Sequence, residues 1–321
     1  MNHSMKKNIR HFFILTALAA GTIHFVNRFI DMTAEMKNIL KSQNGDYYDW
    51  KNGKIFYTKR GSGSPILLVH ELNPISSSYE WCRLVKKLEK THTVYTLDLL
   101  GCGRSDKPYL TYTNYLYVQL LTDFIHDVIG ESPDVITTNN SVSFAVLAQN
   151  MDRSLIRRII AINPPALGTF ERNPDKYSSL KKTLLELPIL GTFIYNVRTH
   201  ETNIQKILRE TYFAKPQLVS SKMLDAYYES AHMDKSHGKY LMASIEGHYT
   251  DNAIAHALKK IEIPLYIIES RTMKDAVAIA DSYAHKNSCV ETAYISNAGL
   301  VPQLEVPDKL LSIINMFLND K

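Results

Sequence analysis

The sequence predicts an α/β fold built on a mostly parallel central sheet with helices on both faces. Short runs rich in apolar and β-branched residues alternate with longer segments of helical periodicity along most of the 321-residue chain. Continuous apolar runs are typical of strands buried on both faces, as in parallel sheets. An apolar segment near the N-terminus, preceded by basic residues, adds a predicted membrane helix in front of this fold.

Residues 1–30 form the predicted membrane segment. Basic residues within the first ten positions precede an apolar stretch from Phe12 to Val26. A helix continued to Ile30 rises about 28 Å, close to the roughly 30 Å of a bilayer's hydrocarbon core. We expect residues 11–30 to contact the membrane as a single span, with the following domain outside the cytoplasm because basic residues favour the cytoplasmic side. A signal peptide cleaved near Ala17-Leu18-Ala19 and an amphipathic helix on the membrane surface remain alternatives.

A polar linker is predicted at residues 31–45, and the alternating pattern follows it. The predicted strands cover residues 55–58, 65–70, 94–99, 134–138, 158–163, 264–270 and 291–297. The predicted helices between them cover residues 79–90, 114–129, 142–152, 276–286 and 308–319.

The alternation is interrupted between residues 168 and 260, where the pattern is helical throughout. The best helical segments there are residues 180–187, 203–213, 221–232 and 239–246. An insertion at this point would cover the carboxyl ends of the strands, which is where open α/β sheets bind ligands. The sequence therefore predicts a core of residues 46–167 and 261–321, with a helical cap of residues 168–260 inserted between late strands.

The composition excludes several classes of partner. A net charge of +5 over this length is mild and gives no sign of nucleic-acid binding. Cys82, Cys102 and Cys289 are widely spaced, and no Cys/His pattern has metal-ligand spacing. We therefore expect no metal, no cofactor and no nucleic-acid partner, whereas the sequence leaves the oligomeric state open.

Several stretches resemble the α/β-hydrolase superfamily. Residues 65–70 followed by residues 76–81 are similar to its first central strand and the entry to its helix A. Residues 98–105, Asp-Leu-Leu-Gly-Cys-Gly-Arg-Ser, are close to the family's D-L-x-G-x-G-x-S turn, and residues 304–307 resemble its late L-E-x-P segment. Residues 187–191 are similar to the caps of esterases, haloalkane dehalogenases and epoxide hydrolases. The resemblance implies an α/β-hydrolase fold across about residues 45–320.

The turn at residues 98–105 has a physical requirement for its small residues. Gly101 and Gly103 allow the chain to reverse tightly after the strand. Arg104 and Asp106 are expected to pair and to hold the loop.

The family places its nucleophile on a sharp turn between a strand and a helix, usually as G-x-S-x-G. Aligning residues 145–148 with the family's next helix puts Ser141 at the nucleophile position, with asparagine and serine replacing the two glycines. A shift of one residue puts Asn140 there instead, and asparagine is not a nucleophile. Ser141 is the predicted catalytic residue, flanked in the predicted pocket by Asn140 and Val142, and a helix N-cap is its alternative role.

The resemblance places the general base, a histidine in the family, at Leu300. Leucine cannot accept a proton, and a serine without an adjacent base is a poor nucleophile. Loss of the histidine in another Ser-His-Asp enzyme costs roughly 10⁶ in turnover. The position of the catalytic acid falls on Met273, and Asp275 is the candidate replacement or, alternatively, an acid at a helix N-terminus.

The oxyanion loop of the family normally reads His-Gly, whereas this chain has His70-Glu71. A glutamate there adds negative charge close to the place where an oxyanion forms, which opposes its stabilisation. The backbone N–H of Leu72 remains available in principle. Glu71 is expected to bind a ligand or to have a structural role, and an acid–base role is the alternative.

Three functional hypotheses follow. The first is a catalytically impaired or repurposed hydrolase-family protein that binds a small or lipidic ligand under its cap. The second is a working esterase-like hydrolase that uses Ser141 with an unconventional base, which requires a titratable group within hydrogen-bond reach. The third is a membrane-tethered interaction protein with an exposed apolar patch on its cap.

Overall fold

The computed structural model describes residues 3–34, 36–40 and 44–319. Within these residues, eight strands form one sheet in the order β1-β2-β4-β3-β5-β6-β7-β8. β2 is antiparallel to β1 and β4, and the other neighbouring strands are parallel. The predicted mostly parallel sheet is therefore confirmed. The strands are β1 (Asp46–Trp50), β2 (Gly53–Arg60), β3 (Pro65–Val69), β4 (Thr93–Leu97), β5 (Asp134–Thr138), β6 (Arg158–Ile162), β7 (Leu265–Ser270) and β8 (Val290–Ile295).

The α-helices precede, connect and follow these strands. They are α1 (His3–Ala34), α2 (Cys82–Leu88), α3 (Asn114–Phe124), α4 (Val142–Met151), α5 (Ser178–Glu186), α6 (Leu190–Arg198), α7 (Glu201–Ile207), α8 (Ser221–His232), α9 (Gly238–Glu246), α10 (Ala255–Leu258), α11 (Ala276–Lys286), α12 (Pro302–Glu305) and α13 (Pro307–Asn319). Single π-helical segments follow α3 (Ile125–Ile129) and α7 (Leu208–Tyr212), and 3₁₀ helices occur at Ser78–Trp81, Asn139–Ser141, Leu167–Glu171 and Pro216–Leu218.

The buried strands divide their side chains between two apolar cores. Along β3, Leu67 and Val69 join the core on one face of the sheet, whereas Ile66 and Leu68 join the core on the other. All five residues of β3 are buried. This arrangement explains why the strand has a continuous apolar run instead of an alternating pattern.

β1 is the strand that the sequence interpretation missed. It pairs with β2 as a hairpin, with Trp50 opposite Gly53. Asp46, Tyr47 and Asp49 are exposed, and the strand lacks the apolar run used to find the others. The Asn52-Gly53 dipeptide is a hairpin signal that would have revealed it.

The chain between β6 and β7 contains only helices among its described elements, and we call residues 167–258 the helical insertion. α6 and α10 are additional to the predicted helices. α6 begins at the apolar residue Leu190, and α10 is a single turn. Ala257 and Leu258 of α10 belong to the core of the sheet. The last part of the insertion therefore packs with the strands.

The N-terminal helix is longer than predicted. A stretch of 25 residues, Arg10–Ala34, is long and apolar enough to cross a membrane. Its most apolar 18-residue window has a mean hydropathy of 1.4, and only 6% of that window is buried. The helix continues beyond Ile30 to Ala34, and its last turns pack against the helical insertion. Asn27 Nδ2 donates to the carbonyl of Ile189 at 3.2 Å, and Ser236 Oγ donates to Asp31 at 2.6 Å.

Residues 36–40, which fall in the predicted linker, are anchored to the fold. The backbone N–H groups of Ile39 and Leu40 donate to Glu229 Oε2 at 2.6 and 3.1 Å. Leu40 is fully buried, and its carbonyl accepts from Arg104. This segment therefore joins the insertion to the turn after β4, and residues 35 and 41–43 of the predicted linker lie outside the described part.

The turn after β4 is held by a buried ion pair. Arg104 Nε donates to Asp98 Oδ2 at 2.7 Å, and both side chains are almost completely inaccessible. The expected pairing of Arg104 with Asp106 is wrong, because Asp106 accepts the backbone N–H of Lys54 at 2.7 Å. Gly103 has a φ of 48°, and a Cβ there would lie 2.4 Å from Asp98 Oδ2, so the turn requires glycine at this position.

Candidate functional site

Two loops form the candidate site at the carboxyl edge of the sheet. One loop, residues 70–73, follows β3, and the other, residues 139–141, follows β5. Because β3 and β5 are parallel neighbours, with Val69 opposite Thr137, the loops emerge side by side. This is the edge at which α/β folds bind their ligands.

The sharp turn between β5 and α4 lies at Asn139. Its φ is 49°, whereas Ser141 has a helical backbone with φ −67° and ψ −15°. Asparagine is among the few residues that adopt left-handed angles at modest cost. The left-handed residue of this turn is thus Asn139, two residues before Ser141, and its carboxamide is not nucleophilic.

The hydroxyl of Ser141 is buried between the two loops. The side chain is fully buried, and its Oγ donates to the carbonyl of His70 at 2.5 Å. Val142, the first residue of α4, is also fully buried and belongs to the core of the sheet. Neither residue offers its side chain to a ligand at the edge in this conformation.

Asn140 bridges the two loops with its carboxamide. Its Oδ1 accepts the backbone N–H of Leu72 at 2.9 Å, and its Nδ2 donates to the carbonyl of Leu72 at 3.3 Å. In the family arrangement, the N–H at the position of Leu72 was the expected oxyanion donor. That donor is already paired within the protein.

Glu71 connects the elbow to the helical insertion. Asn139 Nδ2 donates to its Oε1 at 2.9 Å, and Tyr212 O–H donates to its Oε2 at 2.6 Å. Burial raises the pKa of Glu71, and these two hydrogen bonds lower it. Tyr212 lies in the π-helical segment after α7, and the sequence interpretation gave it no role because nothing local distinguishes it from other tyrosines.

A second buried carboxyl group lies close to the first. Tyr227 O–H donates to Glu80 Oε1 at 3.2 Å, and the rings of Tyr212 and Tyr227 meet edge to face at 6.0 Å. Burial and the charge of Glu71 raise the pKa of Glu80 to about 8. Two carboxyl groups that share a water-poor interior disfavour simultaneous ionisation, so at least one is expected to carry a proton at neutral pH.

His70 has no free ring nitrogen. Its Nδ1 lies 2.7 Å from the carbonyl of Glu71, and its Nε2 accepts the backbone N–H of Leu99 at 3.0 Å. These contacts assign the proton to Nδ1. Burial lowers the pKa of His70 to about 4, so the ring is neutral near pH 7 and its one lone pair is occupied.

The positions expected for base and acid lie on neighbouring loops. Leu300 packs against the apolar cluster that contains Tyr212, and its carbonyl accepts from Asn163 at 2.9 Å. Met273 lies three residues beyond β7 and is half-buried. Asp275 is exposed at the start of α11 and makes no side-chain capping hydrogen bond. The structure gives Asp275 no contact with Ser141.

Glu269 is a buried acid that the sequence interpretation missed. It lies in β7 one residue before the strand ends, and burial raises its pKa to about 8. Its Oε1 has no hydrogen-bond partner. A charged residue within an otherwise apolar strand was the available sequence signal.

No cluster of three or more potential metal ligands occurs among the described residues. The polar groups of the site instead bond to one another through Asn139, Asn140, Glu71 and Tyr212. The arrangement therefore fastens two loops and the insertion together at the place where a substrate would bind.

Comparisons with known proteins agree with this architecture. The sequence model of the alpha/beta hydrolase family matches residues 63–313. A cis-3-alkyl-4-alkyloxetan-2-one decarboxylase from Shewanella oneidensis is 37% identical over 79 residues, covering 25% of this chain and 22% of that enzyme. The chain thus matches only about a fifth of this curated relative's length.

Two solved structures illustrate the likeness in three dimensions. A membrane phospholipase A, described as a bacterial virulence factor, has a TM-score of 0.68 at 18% identity, and the match covers 98% of both chains. An epoxide hydrolase has a TM-score of 0.68 at 20% identity, covering 85% of this chain and 98% of that one. At these identities the likeness shows the fold alone, and it is the fold that the sequence predicted.

Proposed function

This chain belongs to the alpha/beta hydrolase family, and from that premise we propose that it is a membrane-tethered, non-hydrolytic member that binds a lipidic ligand. The observation that carries the proposal is the bridge between Asn140 and Leu72. Acyl transfer requires preorganised donors that are free to stabilise an oxyanion. A carboxamide that takes both polar groups of Leu72 competes directly with that role.

The nucleophile and the base support the same conclusion. The left-handed residue Asn139 has no nucleophilic oxygen, and the hydroxyl of Ser141 is committed to the carbonyl of His70. The imidazole of His70 cannot accept the proton of a serine, because its lone pair receives the N–H of Leu99. Activation of a serine needs a base within hydrogen-bond reach, and the described contacts of Ser141 include none.

The N-terminal helix supports tethering to a membrane. Apolar side chains between residues 12 and 25 are largely exposed, including Phe13 at 66% and Phe25 at 72%. A core helix of a soluble protein would bury them. Asn27 and Asp31 bond to the insertion, so the C-terminal part of this helix is attached to the folded domain.

The site proposed for the lipidic ligand lies where α1 meets the insertion. A groove of about 570 Å³ is lined there by apolar side chains of α1 and α6 and by Tyr228 of α8. Its polar lining consists of Thr33, Asn196, His200, Thr202 and Asn203. Val26, Phe29, Phe193 and Val197 supply most of its apolar wall. This volume lies within the range of about 300–1,000 Å³ that is usual for small-molecule sites, and an acyl chain entering from the bilayer suits its lining.

Fluorophosphonate labelling of the full chain in detergent tests the non-hydrolytic part of the proposal. A known serine hydrolase serves as the positive control, and the Ser141→Ala variant accompanies the wild type. We expect no labelling of either chain while circular dichroism shows that both are folded. Labelling that disappears in the Ser141→Ala variant would establish an activated serine and a working hydrolase.

A fluorescent polyene fatty acid tests the ligand part. Val197→Trp narrows the groove, and Val277→Trp makes the same change on α11, outside the groove; the two valines are 50% and 53% exposed. We expect Val197→Trp to weaken binding of the fatty acid about tenfold or more and Val277→Trp to leave it unchanged. Equal affinities in the two variants would rule out this groove as the site.

A further inference from the structure

A second cavity lies away from the candidate site, on the sheet face covered by α2 and α13. Its volume is about 560 Å³, and its walls come from β2, β4, α2 and α8. Thr58 and Thr96 of the adjacent strands lie in its wall, and their hydroxyls bond to each other at 2.8 Å. No residue of the candidate-site loops or of the groove at α1 lines this cavity. Ile39, from the segment that follows α1, lies in its wall.

Positive charge dominates this cavity. Its lining includes Arg60 at the end of β2, Arg83, Lys86 and Lys87 of α2, and Lys222 of α8, and it includes no Asp or Glu. Cations gathered from three separate elements repel one another unless an anion lies between them. Without a bound anion, this repulsion lowers the stability of the fold.

Two of the five cations are already engaged. Lys87 pairs with Asp308 beside the cavity, and Arg83 donates to the carbonyl of Leu304 at 2.6 Å. Within residues 44–319, Arg60, Lys86 and Lys222 make no ion pair or side-chain hydrogen bond. These three charges are therefore available to a ligand.

Three of the cations lie around Cys82 in the wall of the cavity. The Cys82 thiol is half-buried in the cavity wall, and burial raises its pKa, whereas the charges of Arg83, Lys86 and Lys222 lower it. Lys222 acts on this thiol from another element, α8, so its charge reaches the same space as those of α2. Asp225 of α8 carries the opposite charge nearby, but it pairs with Lys37 at 2.5 Å.

We propose that this cavity is a binding site for a small organic phosphate, with the phosphate held by Arg60, Lys86 and Lys222. Guanidinium and ammonium groups are the usual protein partners of phosphate oxygens, and arginine offers a paired set of donors. The buried threonine hydroxyls and the side of the Tyr79 ring supply contacts for the organic part. The phosphate comes from a soluble metabolite or from the headgroup of a lipid, since both present the same chemistry.

Isothermal titration of the full chain in a non-ionic detergent, first with inorganic pyrophosphate and then with phenyl phosphate, tests the charge and the organic part separately. The test variant removes Arg60, Lys86 and Lys222 as alanines. The control variant removes the same number of charges at Lys259, Lys274 and Lys286, which are exposed and lie elsewhere. We expect the test variant to lose at least tenfold in pyrophosphate affinity and the control to lose less than twofold. Equal losses, or no binding to the wild type at millimolar pyrophosphate, would overturn the proposal.

Alkylation of cysteines gives an independent measurement within one molecule. Cys82 lies in the cavity wall, whereas Cys289 is exposed outside it. We expect bound phenyl phosphate to slow the alkylation of Cys82 at least threefold and to leave Cys289 unaffected. Protection by short-chain phosphatidylglycerol but not by phenyl phosphate would assign the phosphate to a lipid headgroup, and the reverse would assign it to a metabolite. Unchanged alkylation of Cys82 with both probes would contradict the site.

Discussion

The buried carboxyl of Glu80 gives the protein a stability that falls as the pH rises. The side chain is 1% exposed, and burial together with the charge of Glu71 raises its pKa from 4.5 to about 8. On unfolding, the carboxyl reaches water and ionises near its ordinary pKa. The folded state therefore binds more protons than the unfolded state between these two values, and folding weakens as the pH increases through that window.

The size of the effect follows from the two pKa values. Each pH unit between them costs about 1.4 kcal/mol of folding free energy. From about pH 5.5 to about pH 8 the loss is about 3 kcal/mol, and it levels off above pH 8. For a chain of this length, the loss corresponds to a fall of about 5 °C in Tm.

Thermal unfolding of the full chain in detergent, followed by intrinsic fluorescence at about pH 5.5 and about pH 8.5, measures the fall in Tm. Glu80→Gln keeps the shape and the contact with Tyr227 but removes the ionisation, so we expect the fall in Tm to be about half that of the wild type. Glu269, whose pKa burial also raises from 4.5 to about 8, contributes a loss of similar size that remains in this variant. Glu131→Gln, at an exposed carboxyl, should behave as the wild type. A Glu80→Gln variant with the full wild-type fall would refute the assignment of the pH dependence to Glu80.

Three further predictions concern the core of the site. Asn140→Ala removes two hydrogen bonds to Leu72 and should lower the free energy of unfolding by about 1–3 kcal/mol. We expect no esterase activity in this variant. Turnover above the wild type in an ester assay would argue against the proposed loss of function. Asp98→Asn breaks the buried ion pair with Arg104 and should lower the free energy of unfolding by about 3–5 kcal/mol. The measurement is a lower Tm or a loss of folded protein. A variant as stable as the wild type would show that the ion pair contributes little. Because the pKa of His70 is lowered to about 4, the folded state loses stability as the pH falls from about 6.5 towards 4. His70→Gln should reduce this fall of Tm at acidic pH. An unchanged fall would show that another group causes it.

The sequence alone came close to every strand except β1, because most of the others are apolar runs between turn residues. The predicted strand at residues 134–138 coincides with β5, and residues 221–232 coincide with α8. The turn at residues 98–105 carried the resemblance to the family. Its glycine at position 103 is required, because a Cβ there would collide with Asp98. Local patterns sufficed for these features because their causes, burial on both faces and a left-handed turn, act within a few residues.

The register of the elbow was beyond what the sequence could decide. Residues 137–141 are all small or polar, so the sequence allows the turn at any of the positions 139, 140 and 141. The tertiary structure selects Asn139, since its carboxamide there reaches Glu71, while Asn140 pairs with Leu72 and Ser141 pairs with His70. Each of these partners lies about 70 residues away in the sequence, and such pairings leave no local signal.

The sequence by itself determined that this chain is a hydrolase-fold protein with an apolar N-terminal helix, whereas the placement of Leu300 at the family's histidine position stays a prediction. Only the tertiary structure decided which partners these buried polar groups have: Tyr212 of the insertion donates to Glu71, and Asn27 and the N–H of Leu40 bond to the same insertion. The physical reason is that composition and periodicity report which side chains avoid water. The partner that each buried polar group finds depends on the folding of distant segments into one interior.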